Sequence, residues 1–103
     1  MEDRVRLDLS SPGFIEAFQE AEKTVQEQVK KAIEKLSQMS WTQVYKDRGL
    51  KWEKIYSLTP PQGVDALYTF RISRSCRAVA YRKQDFLVVL TFDPDHDSAY
   101  GRK

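Results

Sequence analysis

Residues 66–100, ALYTFRISRSCRAVAYRKQDFLVVLTFDPDHDSAY, decide the fold. Over residues 67–73, Tyr68, Phe70 and Ile72 alternate with Thr69, Arg71 and Ser73, the period-two signature of a strand with one buried face. A turn at Arg74-Ser75 leads into residues 76–82, where Arg77, Val79 and Tyr81 alternate with Cys76, Ala78, Ala80 and Arg82. Lys83-Gln-Asp85 makes a second turn. Residues 86–92, FLVVLTF, are then apolar on both faces, which suits the middle of a sheet covered on both sides, or on one side with a closing tail on the other. Three such segments joined by short polar turns read as an antiparallel meander.

Upstream of the meander, residues 50–58 (LKWEKIYSL) predict a further, imperfect strand, and Thr59-Pro-Pro-Gln-Gly63 a loop, since prolines lack the donor a sheet needs. Ser40-Trp-Thr-Gln43 has capping-box spacing and predicts a short helix to about Asp47. Phe14, Phe18, Ala21, Val25, Val29, Ala32 or Ile33, and Leu36 recur every three or four residues, with Glu16, Glu20, Glu27, Lys30, Lys31, Glu34 and Lys35 between them. That is an amphipathic helical signal whose charged side is read as a solvated face. Ser11 and Pro12 suit its start, and the capping-box spacing of Thr24 and Glu27 predicts a break, hence a helical hairpin or a bent pair rather than one straight rod. Val5, Leu7 and Leu9 alternate with charged residues, an N-terminal strand at a sheet edge. The expected fold is α+β: an N-terminal strand, a helical hairpin, then the antiparallel meander, with the helices on one sheet face.

A chain of 103 residues holds one domain, residues 1–103, with a single two-layer core. Its 41% hydrophobic and 31% charged composition belongs to a globular chain and excludes disorder. A formal net charge of +2 is only mildly basic, so any argument for an anionic partner depends on where the cations sit. A single cysteine, Cys76, allows no internal disulfide and no zinc knuckle, and fits a reducing compartment. No apolar run reaches the roughly 18–20 residues that span a bilayer, and MEDRVRLDLS lacks a signal-peptide core, so a cytoplasmic protein with no membrane partner is expected.

Between Ala66 and Gln84 stand Arg71, Arg74, Arg77, Arg82 and Lys83 with no acid among them, and the tail carries His96 and Tyr100. Basic strands closed by a His/Tyr pair point to phosphate. Arg71 and Arg77 offer planar forks of donors to a phosphate, with Arg74 and Lys51 as further contacts. Metal-free RNA cleavage also needs a base for the 2′-hydroxyl and an acid for the leaving oxygen. His96 is the one side chain here that titrates near neutrality unperturbed, and Tyr100 can stack on a base or pass a proton. Catalytic candidates are therefore His96, Tyr100 and Arg77. Asp93, Asp95, His96 and Asp97 fit no complete calcium loop, so neither a metal nor a cofactor is expected.

The order of these pieces resembles the RelE/ParE superfamily of toxins from bacterial toxin–antitoxin pairs. The residues that carry the resemblance are Gly49-Leu-Lys-Trp-Glu-Lys-Ile55, Tyr68-Thr-Phe-Arg-Ile-Ser73, Cys76-Arg-Ala-Val-Ala-Tyr81 and His96-Asp-Ser-Ala-Tyr100. The resemblance implies a metal-independent endoribonuclease that cuts messenger RNA on the ribosome and so inhibits translation, held in check by an antitoxin protein. By position it implies that Arg77 is the strand arginine of the pattern, Tyr100 its terminal tyrosine and His96 the basic residue before it. Two departures point to an alternative. Tyr68-Thr-Phe-Arg71 has one cation where ribonuclease members carry a lysine-rich strand, and Asp93-Pro-Asp-His-Asp97 is an acidic loop in place of a basic one. The alternative is a non-catalytic module of the same fold that binds protein or RNA; a gyrase-directed toxin of the ParE kind is the third reading.

Overall fold

The computed structural model describes residues 4–94, so the expectations for His96 and Tyr100 lie outside the described residues. The chain runs β1 (Arg6–Asp8), α1 (Pro12–Glu20), α2 (Lys23–Ser37), α3 (Trp41–Lys46), β2 (Glu53–Ile55), β3 (Leu67–Arg71), β4 (Arg77–Lys83) and β5 (Phe86–Asp93). The class is α+β. One five-stranded sheet has the order β1-β5-β4-β3-β2. β2 to β5 form an antiparallel meander, while β1 joins β5 in parallel, which makes the sheet mixed.

The helices cover the face that carries Phe70, Ala78, Ala80, Leu87, Val89 and Phe92, all buried. Small residues on β4 leave room for aromatics on either side: Phe14 of α1 meets Phe92 edge-on at 5.7 Å. β5, apolar on both faces, lies inside the sheet between β1 and β4, where both of its backbone edges find ladder partners. Its register against β4 slips between Val79 and Ala80, so that Leu90 is an extra residue. Gly13 sits against that bulge: a Cβ there would lie 2.6 Å from the Leu90 carbonyl oxygen. Only glycine lets α1 come this close.

The helical signal divides as expected, but not by the expected cap. Ala21 and Glu22 are both extended, and neither Ser11 nor Glu22 caps its helix with a side chain. α2 starts at Lys23, so Thr24 falls inside the helix rather than at its cap. Gln26 Nε2 instead donates at 2.6 Å to the Phe18 carbonyl, which also accepts from the Ala21 N–H at the end of α1. The second capping box forms as read: Ser40 Oγ accepts from Gln43 N, and Gln43 Oε1 accepts from Ser40 N.

The strand read over residues 50–58 shortens to Glu53–Ile55. Asp47 Oδ1 accepts from Leu50 N at 2.9 Å and bends the chain into a turn, and Lys51 takes the left-handed region at φ 54°. Leu50 is buried in the core at this corner, so the pairing begins only after Trp52.

Candidate nucleic-acid interface

Two depressions flank the end of the β3–β4 hairpin. The first is a cleft of about 390 Å³ between α2, the turn before β2 and the hairpin tip. Lys31 and Lys35 line it from α2, Arg71 from the end of β3 and Arg74 from the tip, and among the described residues no carboxylate lines it. Local structure explains the convergence. The lysines are four apart and so share one helix face. Arg71 N donates to the Leu50 carbonyl at 2.7 Å, which fixes the strand end against the turn. Ile72 N and Ser73 N both donate to the Cys76 carbonyl, folding the tip that carries Arg74. Cys76 itself is a buried core thiol.

Asp47 stands just outside the cleft and organises its floor. The Leu50 N–H beside its carboxylate, more than the Lys35 charge, holds its pKa below the ordinary carboxylate value. Lys35 Nζ lies 3.4 Å from Asp47 Oδ2, so part of its charge is already answered. Lys31, Arg71 and Arg74 have no such carboxylate among the described residues. Cations gathered in a concave, acid-free cleft raise the local potential for phosphate far more than the same charges spread over a surface.

The second depression, about 320 Å³, lies on the sheet face opposite the helices and is lined by Arg77, Thr69, Thr91, Asp93, Ile55 and Leu58, among others. Arg77 is only 18% exposed. Its Nη2 donates to Thr69 Oγ1 at 2.7 Å and to the Lys51 carbonyl at 3.3 Å. Glu53 Oε1 lies 3.9 Å away, a weak pair because Glu53 is itself exposed. The guanidinium is thus fixed through one nitrogen, and of its five donors those on Nε and Nη1 have no hydrogen-bond partner among the described residues.

Arg71 and Arg77 are ladder partners across the hairpin, yet they line different depressions. Arg74 joins Arg71 in the cleft. Lys51 serves through its carbonyl, and its exposed side chain lines neither depression. Lys31 and Lys35 were not legible as site residues, because a lysine on a polar helix face looks the same whether it meets solvent or a cleft. Their spacing of four was the available signal. Among the described residues there is no histidine, the single one being His96.

Comparison of the chain with protein-family models, with curated proteins and with solved structures gives no match. No helix among the described residues is long and apolar enough to cross a membrane.

Proposed function

We propose that this protein is a RelE-like toxin, an RNA-binding protein that engages messenger RNA on the ribosome and cleaves it without a metal. The observation that carries this reading is the acid-free cleft lined by Lys31, Lys35, Arg71 and Arg74, a phosphate-tracking surface at the end of the hairpin. The element order supports the RelE/ParE resemblance, with one strand, a helical pair and the short α3 ahead of the β2–β5 meander. Arg77, held at one nitrogen, would place its remaining donors on the scissile phosphate, with His96 and Tyr100 as the acid–base and stacking pair. An antitoxin protein would be its partner. The test is induced expression in growing bacteria with primer extension on translated messages. Growth arrest with discrete message cleavage, relieved by His96→Ala, is expected; unimpaired growth with intact messages overturns it.

A second reading, a binding module of the same fold that does not cleave, has its own observation. Arg77 is engaged by Thr69 and the Lys51 carbonyl and has Glu53 nearby, so part of its capacity is spent within the fold. That reading expects saturable RNA binding, lost in Arg71→Glu, with no cleavage on ribosomes.

A further inference from the structure

At the other end of β3 from the cationic cleft lies a separate cavity of about 510 Å³, within the usual range for small-ligand sites. Three tyrosines line it, Tyr45, Tyr68 and Tyr81, and the first two are each backed by a tryptophan. Tyr68 stacks on Trp52 with centroids 4.8 Å apart and planes 13° from parallel. Tyr45 leans on Trp41 at 5.8 Å. Burial does not hold the Tyr45 ring, which is 55% exposed. Arg82 holds it: Nη1 donates to Tyr45 Oη at 2.9 Å, while the guanidinium lies 4.3 Å over the Trp41 ring.

Arg82 is itself set by the β4–β5 turn. Its Nε donates to the Gln84 carbonyl at 2.6 Å, and Gln84 adopts φ 56°, an unusual backbone state for a side-chain-bearing residue. The neighbouring Asp85 carbonyl accepts from both Trp41 Nε1 and Arg6 N, each at 2.9 Å, which ties the turn to α3 and β1. The cavity therefore has rings whose orientation is settled before any ligand arrives, and that lowers the ordering cost of binding. Lys83 adds an exposed cation to the wall, and Asp65 and Gln62 face it from the loop before β3.

We propose that this cavity binds a nucleobase that carries a phosphate, either as a free mononucleotide or as one nucleotide of a single strand. The tyrosine rings offer stacking faces, Lys83 answers the phosphate charge while Arg82, paired with Asp85 at 4.0 Å, holds Tyr45 in place, and Asp65 and Gln62 offer hydrogen bonds to the base edge. The site is separate from the cleft and does not depend on RNA cleavage.

The experiment titrates the full chain with adenosine monophosphate, with uridine monophosphate and with a short single-stranded oligouridylate, following the fluorescence of Trp41 and Trp52. Saturable binding of a monophosphate supports a free nucleotide, and binding of the oligouridylate alone supports a strand. In either case Tyr45→Ala is expected to weaken binding roughly tenfold and Lys83→Glu severalfold, while Lys23→Gln, remote on α2, leaves it unchanged. If Tyr45→Ala does not fold, as judged by circular dichroism, Lys83→Glu decides. No saturable binding in any arm, or binding indifferent to the substitutions that fold, overturns the proposal.

Discussion

Arg77 Nη2 reaches diagonally from β4 to Thr69 Oγ1 on β3, 2.7 Å away, and with the same nitrogen touches the Lys51 carbonyl in the turn before β2. One side chain thus joins three consecutive pieces of the meander. Thr69→Val removes the acceptor while keeping the shape. The expected loss is about 1–2 kcal/mol, since the donor is charged and largely buried. Urea unfolding checks it: the midpoint falls and the slope stays constant. If Arg77 contacts the scissile phosphate, message cleavage by Thr69→Val also falls, because the guanidinium loses its anchor.

Gly13→Ala is expected to destabilise the fold even though alanine is the better helix former. The added methyl would meet the Leu90 carbonyl at 2.6 Å, and a backbone oxygen in an interior strand has little room to move. Overpacking of this kind costs about 1–3 kcal/mol, against a helix-propensity gain of about 1 kcal/mol. The net loss is measurable as a lower melting temperature.

The cationic cleft makes a prediction in salt. Arg71→Gln and Arg74→Gln should each lower affinity for single-stranded RNA and reduce the slope of log affinity against log salt by roughly 0.7. If these residues answer phosphate rather than base edges, sequence preference should stay the same. Filter binding at several salt concentrations measures both quantities.

Asp47 provides the pH test. Its folded pKa is lowered, first by the Leu50 N–H and secondarily by Lys35. Its contribution is therefore fully present above the unfolded carboxylate value of about 3.9 and is lost as pH falls through the lower folded value. Asp47→Asn should melt below the wild type at neutral pH, by the equivalent of about 1 kcal/mol given its partial exposure. The two melting curves should converge in acid. Melting temperatures of both proteins across pH 2–8 give the answer.

Period-two alternation made β3 and β4 legible, the doubly apolar run identified β5 as interior, and the Ser40–Gln43 spacing gave the cap of α3 as it forms. The N-terminal strand was legible as an edge, but not its parallel pairing with β5, since alternation carries no information about the direction of a partner. The strand before the loop was overdrawn for a local reason: Asp47 and Lys51 turn the chain where the apolar pattern alone continues.

The basic content of the hairpin stands in the sequence, and so do its candidates Arg71, Arg74 and Arg77. What the sequence by itself determined was which side chains alternate, which helix face is apolar and where the short turns fall, because those depend on neighbours a few residues apart. Tertiary structure alone decided that Arg71 and Arg77, ladder partners, look into different depressions, that Lys31 and Lys35 meet Arg71 and Arg74, and that Arg82 positions Tyr45. These contacts join residues far apart in the chain, and packing of the helices on the sheet brings them together.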